Sequence, residues 1–408
     1  VSSSTGLTFF EENITVPNQS LVSHATSSYN TGWMHGDIKL ATLSDTDTTN
    51  VTGSELHING NSDFSSTNVS YISNTASGTA TVSGGQLVLS GGTAGYSDHV
   101  MTLTGLTVGK RYAITIDQIA RSGASGFGFY VNGGYLADST TGGTYTVKGN
   151  GSYSFYFTPD HSSEAIDLVV SLSTSDTITF DNWSVRLAEA DRSVNNNGLQ
   201  VFGTVTKTAV ATGADLVRYV FGSNIYLKAT GTTVPTGTNA SCYMWWSVDT
   251  AGDMSQFYLG DPSADGGVPT NGINVWAYGP GMKYRYGANA FDATASHGVV
   301  VGQWTHHCMM SRNGLLEVYI NGKFVHRAAS AHNGITETDL YVGKGHYNND
   351  HSDGMALLRI SATVPTAEQI AKIYNDEKPL FQENAKATLY GTSDAVTALA
   401  YDDDTELL

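Results

Sequence analysis

The stretch from Gly302 to Tyr374 constrains this chain more than any other, because its turn residues and apolar runs fit one kind of structure. Trp304 to Met310 leads to a turn at Arg312-Asn313-Gly314, Leu315 to Ile320 follows, and Asn321-Gly322 separates it from Lys323 to Arg327. An Asn-Gly pair between apolar runs signals a hairpin, since both residues accept the positive φ of a tight turn. Two such turns in succession predict a meander. Further on, Pro365 and Thr366 precede the run AEQIAKIYNDE. Thr366 as N-cap with Gln369 three residues later is a capping box, and Ile370, Ile373 and Tyr374 share one face, so a short helix closed by Pro379 is predicted to pack on the strands.

The rest of the chain follows the same pattern. Gly is abundant (45), Tyr (22) far outnumbers Trp (6), and only 14% of residues are charged, a balance that favours short strands and polar turns. The predicted class is all-β: tandem antiparallel β-sandwiches (jelly rolls) with one short C-terminal helix packed on the second. A length of 408 residues leaves room for two or three domains. The net charge of −17 and pI near 4.9 argue against nucleic acid as a partner and favour neutral or cationic ones. No run approaches the roughly 20 apolar residues needed to span a bilayer. The opening VSSSTGLTFF lacks the basic and apolar regions of a signal peptide, and both ends read as cut or processed from something longer.

Five segments are expected. Residues 1–52 read as a connector or the end of a preceding domain. Within them Asp45 and Asp47 suit either a cation site or a solvated turn, two carboxylates being too few for calcium alone. From 53 to 190, segments such as GQLVLSGG, RYAITIDQIA, GSYSFYFTP and TITFDNWSVRLA recur at the spacing of a sandwich or jelly roll. Residues 191–235 form a junction, with an Asn195-Asn196-Asn197-Gly198 turn and then the opening strands of the next domain. A second sandwich spans 236–378, and 379–408 begins a further β module or tail.

In the first sandwich, Phe127, Phe129, Tyr153, Phe155 and Phe157 recur at period two and are predicted to be core. Tyr96, Tyr130, Tyr135 and Tyr156 fall out of phase with that set or in turns, and are candidates for stacking on a sugar ring. Asp98 and Asn132 are the polar partners for its hydroxyls. Cys242 and Cys308 lie in apolar contexts, either as two buried free thiols or as one bridge between neighbouring strands.

Two resemblances add to this. The Gly-Lys-Arg-Tyr turn at 109–112 and the Asp-Asn-Trp-Ser-Val ending at 181–185 resemble the carbohydrate-binding jelly rolls attached to glycoside hydrolases and found in viral fibres. A tryptophan that many relatives carry soon after the opening Asn-Gly is missing. Gly302-Gln303-Trp304, the run Leu316 to Gly322, Leu340-Tyr341-Val342-Gly343 and Met355 to Ile360 resemble the laminin-G-like, concanavalin A-like lectin/glucanase family. That likeness implies a two-sheet jelly roll over about 150 residues of this chain, and no particular ligand.

Catalysis is not expected. Glucanases of this fold need two carboxylates on one strand, and the nearest pair here, Asp249 and Asp253, is separated by a turn at Gly252. There is no Gly-X-Ser-X-Gly elbow, His-Glu-X-X-His run or phosphate-binding glycine loop. His306 and His307 are adjacent on a strand and point to opposite faces, one expected in the core and one at the surface. The loop from His346 to Gly354 concentrates polar ligands beside an aromatic. His346, Tyr347 and Asn348 are candidates for glycan contact, and Asn349, Asp350 and Asp353 for calcium as a cofactor.

The stretches GWMHGDIKLATLSDTDTTNVTGSEL near the start and FQENAKATLYGTSDAVTALAYDDDTELL at the end resemble segments of marine bacteriophage tail-fibre proteins. The resemblance implies a non-catalytic adhesin on the virion surface, extracellular and homo-oligomeric, with a trimer as the expected state. Its partners would be host surface glycans or polysaccharide and other virion proteins, with no nucleic acid and no membrane insertion. Two alternatives remain: a structural spacer or decoration protein of a viral particle, and accessory modules of a secreted polysaccharide-degrading enzyme.

Overall fold

The computed structural model describes residues 2–388 apart from 4–5, 12–19, 58–63, 65–71, 74–78, 92–95, 124–125, 139–142, 145, 173–175, 223, 231–233, 249–255, 260–271, 279–280, 288, 337–338 and 345–353. The predicted meander is present. Trp304–Arg312 pairs antiparallel with Leu315–Ile320, which pairs in turn with Lys323–Arg327. At the two turns Asn313 and Asn321 have φ of 52° and 51° and the following glycines 80° and 75°. A Cβ on Gly322 would lie 3.1 Å from Tyr374, so the second turn also lets the helix approach closely.

This meander is one edge of an antiparallel sheet that continues through Ala240–Ser247 and Gly354–Ser361. A facing sheet runs from Asn289–Ala293 through Gly281–Tyr286, Ile273–Tyr278, Gln256–Leu259 and Asp339–Val342 to Tyr226–Thr230. Leu199–Ala209 bends to serve both sheets. Its first part pairs with Tyr226–Thr230, and its last part with Val217–Val220, which in turn pairs with Gly354–Ser361. Between the sheets lies a core containing Trp246, Tyr284, Met309 and Val318.

Residues 1–52, expected as a connector or the end of a preceding domain, supply strands of their own. Ile38–Thr42 pairs with Gly354–Ser361, and Val51–Gly53 with Leu199–Ala209. Leu40 and Leu43 are fully buried in the same core. A short strand whose partner lies at the far end of the chain carries no local signal of that pairing. Ahead of it, Ser2–Ser3, Gly6–Glu11, Leu21–Ala25 and Met34–His35 form a four-stranded meander.

The helix Ala367–Glu377 begins as expected: Thr366 Oγ1 accepts from the Gln369 amide at 3.2 Å, and Gln369 Oε1 accepts from the Thr366 amide at 2.9 Å. Ile370 and Ile373 are buried with Tyr243, Cys308 and Met310, on the face of the sheet away from the main core. That second layer corrects the expectation for the histidine pair, because both His306 and His307 are fully buried. His307 faces the sandwich core and bonds Tyr284, while His306 lies between Trp245 and Tyr374, with ring centroids 5.3 and 6.2 Å away. Burial lowers both pKa values, that of His307 to about 3.

A buried charge pair ties the helix to the sheet and to the N-terminal segment. Glu377, the last residue of the helix, accepts from Arg359 Nη2 at 2.6 Å, the Trp33 amide at 2.9 Å and Trp245 Nε1 at 2.8 Å. Arg359 is fully buried, donates also to the Leu357 carbonyl, and lies 4.6 Å from the centre of the Tyr243 ring.

The first sandwich has its own core. One sheet is built from Ile72–Ser73, Tyr96–Thr104, Ser163–Ser171, Gly126–Val131 and Gly134–Tyr135. The other contains Thr79–Ser83, Gln86–Ser90, Thr177–Glu189, Tyr112–Arg121 and Gly151–Phe157. Phe127, Phe129, Tyr153, Phe155 and Phe157 fill the space between them around Trp183, as their alternation predicts. Thr177–Glu189 then runs on until Ala188 pairs with Gln200. The Asn-rich turn beyond it is organised by Asp191, whose carboxylate accepts from the amides of Ala41, Ser193 and Asn197 at 2.8–3.0 Å. The chain is therefore nearly all antiparallel β with a jelly-roll, lectin-like fold. Among the described residues no helix is long and apolar enough to cross a membrane.

Candidate functional site

Three of the residues singled out for sugar contact meet at one hairpin. Gly126–Val131 and Gly134–Tyr135 are joined by Asn132-Gly133, whose φ values of 50° and 80° close a tight turn. Register places Tyr130 opposite Tyr135 on one side and opposite Asp167 on the other. The two rings pack edge to face with centroids 5.1 Å apart, and Tyr135 is 44% exposed.

The polar rim comes from the loop before Ser163–Ser171. Asn132 Nδ2 donates to Asp160 Oδ1 at 3.1 Å and to Glu164 Oε1 at 3.2 Å. The His161 amide donates to Glu164 Oε1 at 3.0 Å, and His161 Nδ1 lies 2.8 Å from Asp160 Oδ1. The hydrogen bond to Asp160, reinforced by the charges of Asp160 and Glu164, raises the His161 pKa; bonds with Glu164 and His161 lower that of Asp160. A half-buried Tyr130 and an exposed Tyr135, joined by a turn whose Asn132 amide is bonded to two carboxylates, offer a sugar both things it needs: a ring face for its C–H groups and bonding partners for its hydroxyls.

Asp160, His161 and Glu164 also bring one donor atom each within 4.8 Å of one another. Three donors fall short of the roughly six to eight oxygens calcium takes, and the imidazole already shares a hydrogen bond with a carboxylate.

Other expected residues are placed differently. Tyr96 and Asp98 lie in Tyr96–Thr104, opposite Ser171 and Val169, and their side chains fall outside the described residues. The whole group His346, Tyr347, Asn348, Asn349, Asp350 and Asp353, and also Asp249 and Asp253, lies outside them too. Tyr156 is used internally: its hydroxyl donates to the Gly198 carbonyl at 3.0 Å and Arg111 sits 5.1 Å from its ring centre. Asp45 holds Lys207 at 2.7 Å, and Asp47 accepts from the Thr49 amide at 2.8 Å, an ordinary capped turn. Cys242 and Cys308 are buried free thiols, with burial raising the pKa of both. Strand alternation puts Cys242 in the sandwich core and Cys308 under the helix.

Sequence alone did not point to Asp160, His161 and Glu164, about 30 residues beyond the hairpin. Their available signal is the local run Asp-His-Ser-Ser-Glu at the mouth of a strand. It also missed a ladder on the second sandwich, where Phe202 stacks on Tyr226 at 4.4 Å. Arg186 covers the first ring at 4.2 Å and Lys344 the second at 4.6 Å. Cations already occupy those faces, so the hairpin is the better platform.

Residues 221–371 match the family model described as the concanavalin A-like lectin/glucanases superfamily. Comparison with curated proteins gives no match. Among solved structures, the chain is similar to domain 4 of AbnA, an extracellular arabinanase from Geobacillus stearothermophilus, in complex with arabinotriose. Identity is 17% and the TM-score 0.36, over 45% of this chain and 92% of that one. The receptor binding domain of botulinum neurotoxin C/D mosaic serotype gives 13% and 0.36, over 47% of this chain and 49% of that one. The serotype D ligand binding domain, in complex with N-acetylneuraminic acid, gives 11% and 0.37, over 47% and 48%. The chain thus spans about half of the toxin chains, and likeness this distant carries no ligand over to it.

Proposed function

We propose that this chain is a non-catalytic adhesion protein of a virion fibre that binds host cell-surface glycans through tandem β-sandwiches. The observation that carries the glycan reading is the hairpin rim, where Tyr130 and Tyr135 present an aromatic pair beside Asn132 and the Asp160–His161–Glu164 group. The match of residues 221–371 to a lectin/glucanase family model supports it. The virion setting, its extracellular surface location and a trimeric state rest on the tail-fibre resemblance of the two flanking stretches. On an oligomer, individually weak sites act together through effective concentration.

The test is a glycan array probed with the purified full chain, followed by titration of the best glycan against Tyr135→Ala and Asn132→Ala. Loss of one stacking ring is expected to weaken binding roughly fivefold to tenfold, about 1 kcal/mol. No binding to any glycan or host surface polysaccharide by the intact oligomer would overturn the reading in favour of a structural spacer.

A further inference from the structure

Where the two sandwiches meet there is a cleft of about 510 Å³, walled by the loop ahead of Tyr112–Arg121, the junction around Glu189, and residues 45–52. That volume is within the range of about 300–1,000 Å³ typical of small-ligand sites, and junctions between domains are where such sites concentrate. Four cations reach it, Lys110, Arg111, Arg192 and Lys207, in a chain with 20 Lys and Arg against 37 Asp and Glu.

The four cations are only partly offset by the acidic groups of the lining, Asp45, Asp47 and Glu189. Lys207 is held by Asp45 at 2.7 Å. Glu189 accepts from the Tyr219 hydroxyl at 2.9 Å, and burial raises its pKa, which disfavours its charged form. Among the described residues, Lys110, Arg111 and Arg192 form no contact ion pair. Two of them are steered by aromatic rings instead: Arg111 lies 5.1 Å from the centre of Tyr156 and Arg192 4.0 Å from that of Tyr29. A ring orients a guanidinium without neutralising it. Arg111 Nε is moreover buried without a hydrogen-bond partner, although a buried donor ordinarily has one.

The same lining carries the polar groups of Thr49, Asn50 and Thr52 and the carboxylate of Asp47. Cations in the lining suit an oxyanion, and its amide, hydroxyl and carboxylate groups suit sugar hydroxyls. We propose that this junctional cleft binds a saccharide bearing an oxyanion, a carboxylate or a sulfate, with Lys110, Arg111 and Arg192 on the anionic group. This deepens the glycan reading and rests on it.

The experiment is titration calorimetry of the full chain with an oligogalacturonate, a sulfated oligosaccharide, a neutral oligosaccharide of equal length and sodium sulfate. It is repeated on Lys110→Gln/Arg111→Gln and at two salt concentrations. Either acidic saccharide is expected to bind more tightly than the neutral one, to weaken with salt, and to lose at least about tenfold in the double variant. The two acidic arms decide between carboxylate and sulfate. Equal affinity for neutral and acidic saccharides, binding of sodium sulfate as tight as that of the saccharides, or a double variant that binds unchanged would each overturn the proposal. If the double variant fails to fold, an affinity for the acidic saccharides that does not change with salt overturns it alone. Acidic-saccharide binding lost in Tyr135→Ala but kept in the double variant would overturn the cleft and leave the glycan function standing. No binding by any saccharide would overturn both.

Discussion

Replacing Glu377 by Ala tests how the C-terminal helix is held. Its carboxylate is 2% exposed and accepts three hydrogen bonds, from Arg359, the Trp33 amide and Trp245. Removing it leaves the fully buried Arg359 with the Leu357 carbonyl and the Tyr243 ring, and Arg359 Nε already lacks a partner. Breaking a buried pair from one side costs about 3–5 kcal/mol, because the remaining charge stays desolvated. The two orphaned N–H donors act in the same direction, each by about 1 kcal/mol or more, though contributions at one site do not simply add. A loss of about 4 kcal/mol is therefore expected. With a urea m-value near 3 kcal/mol/M, the second sandwich's midpoint falls by more than about 1 M, read from the near-ultraviolet circular dichroism of Trp245 and Trp246. Glu377→Leu with Arg359→Met removes both charges and is expected to recover most of the loss. A shift under about 0.3 M in Glu377→Ala, or a double variant no better than the single, would refute this reasoning.

Acid is expected to destabilise the second sandwich. Burial first, and then the Arg359 charge, lowers the His35 pKa from 6.5 to about 4, so the unfolded chain takes up the proton first. Stability therefore falls as pH drops from about 6.5 toward about 4, by about 3 kcal/mol for this group. His35→Gln should shrink the difference between urea midpoints at pH 7 and pH 4.5; an unchanged difference sinks the idea. Cys308, its thiol pushed up to about 12 by burial, and Cys242 should both ignore a thiol reagent at pH 8 in the folded protein and react in denaturant. Modification of either at the native-state mixing rate would contradict that. Calcium is proposed for Asn349, Asp350 and Asp353: it should raise the melting temperature, less so in Asp350→Ala with Asp353→Ala, and a parent protein indifferent to calcium rules the site out.

Legibility in the sequence followed how local each determinant is. The turns at Asn313-Gly314 and Asn321-Gly322, the Thr366–Gln369 capping box and the period-two aromatic set at 127–129 and 153–157 are short-range signals, and each is found in the structure. The burial of both His306 and His307 departs from the sequence expectation because alternation shows which face a side chain takes, and not whether a further layer covers that face. At the candidate site, Tyr130, Asn132 and Tyr135 were readable since one hairpin carries them.

Local sequence signals are enough for the all-β class, the turns, the helix and its cap, and the alternation that separates core rings from outward ones. These are set by backbone sterics and by which face of a strand is apolar, both of which act within a few residues. It takes the folded chain to join Ile38–Thr42 to Gly354–Ser361 and to bring Glu377 to Arg359, Trp33 and Trp245 in the interior. Only it placed Asp160 and Glu164 on Asn132, and gathered Lys110, Arg111 and Arg192 around one cleft. Those meetings depend on long-range strand register and layer packing, whose free energy is realised only once distant segments are already in place.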